Sequence, residues 1–383
     1  MKTSLEKGSP GAPKRLLSLD AFRGLTIAAM ILVNNAGDWG RVYAPLRHAA
    51  WHGWTVADLV FPSFVFILGS AIPLSLGHRL DAGVPRRCIA LSVFRRAAIL
   101  LLLGLALNLI PEFDFNTVRI PGVLQRIALS YLAGAMVFMA TRRPVLWGGA
   151  AVALMALHWA VLKLAPVPGF GAGVLEPLGN AAWYIDSTLF AGHTYKLAPA
   201  PGFDPEGLLG TLSSTASALF GMLAGRWMRA ERMPQERFRG LFAAANIMLG
   251  VGLILNEFLP INKNLWTPAF TVFTSGVALY IMLAFYRLVD IKGRALPGRP
   301  LQALGANALA IYALSSLTAK ILVSVTITGA DGAALPLKTI IFKALFVSWM
   351  GPYAASLAYA VMNLILWLGL ALVLFRKNIF IRV

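Results

Sequence analysis

The feature that leaves this chain the fewest choices is a recurrence. Segments of roughly 20 mostly apolar residues, enough to cross about 30 Å of hydrocarbon as a helix, follow one another almost from end to end. They begin near positions 18, 54, 90, 121, 145, 208, 238, 268, 300 and 353, about ten in all by the hydropathy-window rule. Backbone in lipid has to satisfy its own hydrogen bonds, so apolar segments of this length become helices. The expected fold is all-α, a polytopic integral membrane protein of about ten transmembrane helices. Composition points the same way: 58% of the 383 residues are hydrophobic and 13% are charged, against about 25% charged in soluble domains. A soluble enzyme and a disordered chain are excluded.

The charges are lopsided, 34 Lys and Arg against 16 Asp and Glu. In a soluble protein that excess would suggest nucleic acid. Here it clusters between the apolar segments, in every second connection. Arg79, Arg86, Arg87, Arg95 and Arg96 follow the second segment, Arg142 and Arg143 the fourth, and Arg226, Arg229, Arg232, Arg237 and Arg239 the sixth. Arg287, Lys292, Arg294 and Arg299 follow the eighth, and Arg376, Lys377 and Arg382 close the chain. By the positive-inside rule these loops are cytoplasmic, both termini are cytoplasmic, and no nucleic-acid partner is implied. The other loops, 37–53, 111–120, 165–206, 258–267 and 325–338, carry few basic residues and more Gly, Pro, Trp and Asn, and should face outward. Loop 165–206 mixes Pro and Gly with apolar and aromatic residues, as a packed cap would. Residues 336–350 are apolar but too short to span, which suggests an interfacial or re-entrant helix. The polar start holding Lys2, Lys7, Lys14 and Arg15 precedes no small-residue cleavage site, so the first segment is expected to be retained. Cys88 is the only cysteine; it excludes an intramolecular disulfide and a multi-cysteine metal site, and no metal is expected.

Polar groups inside spans are expensive and are functional candidates for that reason. Asp20 and Arg23, three residues apart, share a helix face and can pair. Asn34 and Asn35 fall where the first segment reaches the outer side, and Asp58 lies near the outer end of the second. Arg126, beside Gln125, lies inside the fourth segment. It needs an acidic partner, with Asp58 and Glu257 available, or else a ligand anion or water. Asn307 sits within the ninth segment, where an interhelical hydrogen bond would also account for it. Among five histidines, His48 stands out by its setting, just before an aromatic, glycine-containing turn that leads into the second segment, with Asn34 and Asp58 close in sequence. A neutral imidazole there can take a proton from an ammonium or carry an acyl group.

These residues lie in blocks that resemble a known family. RLLSLDAFRGLTIAAMILVNNAG followed by HAAWHGWTVADLVFPSFVFILG is similar to the opening of the transmembrane heparan-α-glucosaminide N-acetyltransferase family, in its bacterial branch. RIPGVLQRIALSY, AAWYIDSTLFAGHTY, DPEGLLGTL, NKNLWTPAF and the Asn307 segment resemble further blocks in the same order, so the likeness runs from Arg15 to about Tyr312. It implies an acetyltransferase that takes acetyl from cytosolic acetyl-CoA, a co-substrate, and delivers it to an amino sugar on the far side. His48 matches the family's proposed active-site histidine and Asn34 the asparagine of its pocket. His52 stands where the family pattern usually has asparagine, which places a second imidazole near the first. The animal enzyme carries an additional luminal segment and helix ahead of this region.

On this basis the catalytic candidates are His48, Asn34 and Asp58, with Asp58 holding the imidazole tautomer and Asn34 or Arg126 stabilising an oxyanion. Arg23, Arg126 and Asn307 are candidates for acetyl-CoA, while Asp186, His193, Asn264 and Trp266, with the nearby aromatic rings, are candidates for the acceptor. The expected organisation is a cytoplasmic tail (1–16), a single transmembrane acyltransferase domain (17–376) with 165–206 as its outer cap, and a cytoplasmic tail (377–383), in the inner membrane of a bacterium. The partners are the lipid bilayer, the amino-sugar or glycan acceptor and, as a homodimer, a second copy of the chain. Two rival readings are a membrane O-acyltransferase acting on surface polysaccharide and a transporter of sugar or lipid-linked sugar.

Overall fold

The computed structural model of the chain describes residues 16–293, 298–328 and 334–381. Residues 1–15 of the expected N-terminal tail, Arg294, and residues 382–383 of the C-terminal tail lie outside the described residues. Helices are α1 (Leu17–Asn34), α2 (Val60–Asp81), α3 (Arg86–Leu109), α4 (Val123–Ala140), α5 (Pro144–Leu164), α6 (Ala181–Leu189), α7 (Gly210–Arg229), α8 (Pro234–Phe258), α9 (Pro268–Phe285), α10 (Gly298–Ala306), α11 (Ala308–Ser324), α12 (Leu337–Phe342) and α13 (Pro352–Arg376). Four of the long ones, α5, α8, α9 and α13, open on a proline in the first turn, where its missing N–H costs nothing. The one sheet among the described residues is a hairpin of β1 (Thr326–Thr328) and β2 (Ala334–Pro336).

Eight of these helices are long and apolar enough to cross a membrane, and the pair α10 and α11, bent by 78° at its break, makes a ninth if it counts as one span. The position near 208 in the sequence does hold a helix, α7, but α7 is not among those eight. Its sequence, GTLSSTASALFGMLAGRWMR, explains why: Ser213, Ser214, Thr215 and Ser217 lower its hydropathy, and all four are buried. α7 packs against α2, α4, α5 and α9. It faces protein, whereas only 17–28% of the residues in the apolar stretches of α3, α5, α8 and α13 are buried. Segment 336–350 forms α12 and a short π-helical extension to Val347, too short to span.

Small residues set the closest contacts, as expected where backbone proximity, and not the expulsion of water, holds helices together. A Cβ on Gly69 of α2 would lie 1.9 Å from the Ala218 carbonyl oxygen, one on Gly221 2.0 Å from that of Phe66, and one on Gly225 2.2 Å from that of Ser70. Gly221 and Gly225 form a Gly-x-x-x-Gly pair on α7. Replacing Gly221 with leucine is expected to force α2 and α7 apart and to abolish the monodisperse detergent-solubilised species in size-exclusion chromatography. A variant that elutes like the native chain would refute this packing.

The loops separate into two groups. At one end Asp81 binds both Arg142, at 2.8 Å, and Arg229, tying the connections after α2, α4 and α7. At the other, Ile120 N–H donates to the His193 carbonyl (2.9 Å), Trp51 Nε1–H to that of Leu175 (2.8 Å), and Gly53 N–H to that of Ile261 (2.7 Å). The connections rich in arginine and those poor in it thus gather at opposite ends of the bundle. Segment 165–206 has its own apolar cluster, in which Val167, Ala181, Ala182, Ala200 and Phe203 pack with Leu162, Leu259 and Leu265.

Candidate active site

The arginine-poor end holds the site, and its first half is the turn that enters α2. Thr55-x-x-Asp58 is a capping box: the Asp58 Oδ2 atom accepts from Thr55 N–H (3.0 Å), Thr55 Oγ1–H (3.1 Å) and Ala49 N–H (3.0 Å). The other carboxylate oxygen, Oδ1, lies 2.7 Å from His48 Nδ1. One buried carboxylate therefore fixes the turn and aims the imidazole at once. The aspartate side chain is 1% exposed and that of His48 is 43% exposed, so the ring is anchored on one edge and open on the other.

The second half comes from the turn between α8 and α9. Asn262 caps it by accepting from Leu265 N–H (2.9 Å), and Thr267 Oγ1–H donates to the Pro260 carbonyl (2.8 Å). Asn262 Nδ2–H lies 3.2 Å from His52 Nδ1. The neighbouring Lys263 places Nζ 2.9 Å from His48 Nδ1, 3.3 Å from His48 Nε2 and 3.3 Å from Asp58 Oδ1. Burial draws its ammonium below the ordinary lysine range, opposed by Asp58 and Glu206. Trp266, expected to face an acceptor, is instead wholly buried. It holds a left-handed backbone conformation (φ 53°), and its ring is enclosed by Phe61, Phe270 and the Arg126 guanidinium, 5.0 Å away.

Beside these turns lies an acidic and basic cluster. Arg119 grips Asp204 with two N–H groups (2.8 and 2.6 Å), also binds Glu206, and covers the Tyr195 ring at 4.4 Å. Burial works against the charge on Arg119, but Glu206 and Asp204 outweigh it and raise the guanidinium further. Burial also opposes ionisation of Glu206, yet Arg119 and Arg126 prevail and hold its carboxyl below the usual range. Arg126 pairs with neither Asp58 nor Glu257. Its Nη2–H donates to the Gly207 carbonyl (2.8 Å), and Nε and Nη1, both buried, meet no hydrogen-bond partner among the described residues.

Asp186 is buried against the same segment and accepts from Leu208 N–H at 3.0 Å. Burial pushes its carboxyl up from 3.8 to about 7. The folded chain thus keeps a proton that the unfolded chain gives up, so this residue's contribution to stability is complete below about pH 4 and is lost as pH rises through about 7. Asp186→Asn keeps an acceptor for Leu208 and cannot ionise. It is expected to melt higher than the native chain at pH 8, with the difference vanishing near pH 4; parallel pH profiles of melting temperature for the two proteins would refute this.

The remaining candidates are dispersed. His193 staples the rim, its Nδ1 2.8 Å from the Val118 carbonyl, and Asn264 lies half-buried in the Lys263 turn. Asn34 opens onto a cavity of about 180 Å³ shared with Met30, Asn35, Tyr312, Ser315, Ser316 and Ala319. Arg23 pairs with Asp20 at 3.2 Å, toward the arginine-rich end. Asn307, expected to serve acetyl-CoA, sits at the break between α10 and α11 and spends its amide on the tail: Nδ2–H donates to the Ile379 carbonyl (3.0 Å) and Oδ1 accepts from Ile381 N–H (2.8 Å). Sequence reasoning passed over Lys263, Arg119, Asp204 and Glu206. The signal for Lys263 and Arg119 was their charge, since each is a cation in a connection otherwise poor in them.

Comparison with known proteins bears on the same residues. Residues 15–181 match the model of the catalytic region of heparan-alpha-glucosaminide N-acetyltransferase. The proteins of that name from Homo sapiens and Mus musculus are 32% and 31% identical to this chain over 78% of it, and over 52% and 53% of their own lengths. The chain spans about half the length of these curated relatives. The matched region contains His48, Asp58, Asn34, Arg119 and Arg126, and by these similarities the chain belongs to the heparan-alpha-glucosaminide N-acetyltransferase family.

Proposed function

We propose that the protein transfers acetyl from acetyl-CoA, supplied at the arginine-rich, cytosolic end, to the amine of an amino sugar at the opposite, outer end of a bacterial inner membrane, with both termini cytosolic. The observation that carries this reading is the His48 and Asp58 pair at 2.7 Å. A carboxylate on Nδ1 holds that nitrogen protonated and leaves the lone pair on Nε2, at the exposed edge of the ring. From there it can take the amine proton or, as a nucleophile, carry the acetyl group. Family membership supports the choice of acetyl donor and amine acceptor, and the segregation of loops supports the topology.

The two ends then divide the work. Arg23, with the arginines of the cytosolic connections, suits the phosphates of the donor, while the uncharged arm of the donor reaches between helices toward the outer turns. At the outer end Arg126, a sequence candidate for the oxyanion, is buried beneath Trp266 and is left out of the transfer step, although its Nε and Nη1 meet no partner among the described residues. Asn34 lines a cavity of its own between α1 and α11, apart from the His48 turn. For the acceptor, exposed Trp54 and Tyr184 present ring faces, with His193 and Asn264 around the rim; Asp186, expected to contact the acceptor, is wholly buried and does not reach it. We assign Asn307 to holding the C-terminal tail, because its amide is already engaged.

Supplying labelled acetyl-CoA to inside-out vesicles containing glucosamine is expected to yield N-acetylated sugar within the lumen. Label found only on hydroxyls would favour an O-acyltransferase, and sugar movement without loss of acetyl-CoA would favour a transporter. For the topology, His48→Cys in a Cys88→Ser background is expected to react with an impermeant thiol reagent added from the outer side. Labelling only after the membrane is opened would invert the orientation.

A further inference from the structure

The geometry points to Lys263 as a catalytic group of this centre, the cation that receives the negative charge on the thioester carbonyl oxygen as the acceptor amine adds. The inference rests on the acetyl-transfer reading and names a residue that reading does not require.

An ammonium only donates hydrogen bonds. Two donors, His48 Nδ1–H and Lys263 Nζ–H, converge on Asp58 Oδ1 at 2.7 and 3.3 Å. With Nδ1 committed to the carboxylate, the 2.9 Å approach of Nζ to that nitrogen is not a hydrogen bond to its lone pair. Nor does Nζ occupy the Nε2 lone pair. The two ring nitrogens point their in-plane orbitals apart, and an atom 2.9 Å from one and 3.3 Å from the other lies over the face of the ring. Nε2 therefore stays open to a proton, and the N–H groups of Lys263 not directed at Asp58 stand beside it.

Lys263 is also held where it is. Its turn is locked by Asn262 and Thr267 and pinned to the His48 turn through Gly53 and Ile261, so the charge needs no rearrangement when the reaction begins. Its side chain is 15% exposed, enough to be reached and little enough to keep water from screening it. Of the other cations nearby, Arg119 is engaged by Asp204 and Glu206, and Arg126 is buried beneath Trp266.

The amine nitrogen forms a bond to the carbonyl carbon, and the C=O π pair moves onto oxygen beside Lys263. The amine proton passes to His48 Nε2. The oxygen pair then re-forms the carbonyl, the C–S bond breaks, and the departing thiolate takes the proton from His48. One amine and one thioester become one amide and one thiol, and Lys263 ends as it began.

The test measures acetyl transfer by Lys263→Met and by Lys263→Cys before and after alkylation with 2-bromoethylamine, which rebuilds an ammonium at the same reach; the cysteine variant is made in the Cys88→Ser background. Lys263→Met is expected to lower kcat by about 10²–10³-fold with KM for acetyl-CoA within a few-fold of the native value. Alkylation of the cysteine variant is expected to restore at least tenfold of its loss, which a variant that failed to fold would not do. A kcat near native in Lys263→Met, or no recovery on alkylation, would overturn the assignment while leaving the acetyl-transfer reading intact. If the native protein acetylates no amine, that reading itself fails. The contact with His48 is then judged separately, by the rate at which diethyl pyrocarbonate modifies His48: removing the ammonium over the ring should raise it several-fold, and an unchanged rate would overturn the contact as well.

Discussion

Changing His48 to alanine is expected to reduce acetyl transfer by about 10²–10⁴-fold, the usual contribution of a positioned acid or base, while the protein still inserts and binds CoA. His52→Ala should retain substantial activity. The two imidazoles stand in adjacent turns of one loop, and the structure separates their roles by what each Nδ1 meets. For His48 it is the carboxylate of Asp58 at 2.7 Å, for His52 the amide of Asn262 at 3.2 Å. A carboxylate can stabilise the imidazolium that a general base becomes; an amide holds a ring in place without that effect. Initial rates with labelled acetyl-CoA, alongside CoA binding, decide the matter. Equal activity in the two variants would remove His48 from the mechanism.

The largest effect on stability is expected at Arg119. Its guanidinium is the ion-pair partner of Asp204, whose side chain is 0% exposed, and of Glu206, at 12%. Arg119→Leu would strand two buried carboxylates near each other, and breaking such a pair costs about 3–5 kcal/mol. Combining it with Asp204→Asn and Glu206→Gln should recover much of that loss, because the penalty lies in the uncompensated charges. Thermal unfolding in detergent measures both variants. A single variant that melts with the native chain would show that water already reaches these carboxylates.

The fold was largely legible because membrane helices announce themselves by length and hydropathy. Each of the ten expected starts lies within about six residues of the start of a helix, and the alternation of arginine along the sequence reappears as two ends of a bundle. The segment near 208 reads as an apolar span, yet α7 lacks the hydropathy of one, and its buried serines and threonines contact neighbours that no local window contains. In the site, His48 and Asp58 were readable together, being ten residues apart. Lys263 was not, because it lies 215 residues from His48 and meets it only when the turn between α8 and α9 docks on the turn before α2. Arg126 shows the same limit. Its need for a partner was evident from the sequence, but Gly207 and Trp266, which supply a carbonyl and a ring face, are not residues that charge complementarity selects.

The polarity of α7 also bears on how the molecule is made. A helix with this many buried hydroxyls partitions poorly into lipid alone, so it has to be received by protein. Three of the helices it packs against, α2, α4 and α5, precede it in the chain, and α9 follows. Synthesis from the N-terminus therefore assembles most of its berth before α7 leaves the ribosome, and the order of the helices along the sequence becomes a schedule for membrane insertion.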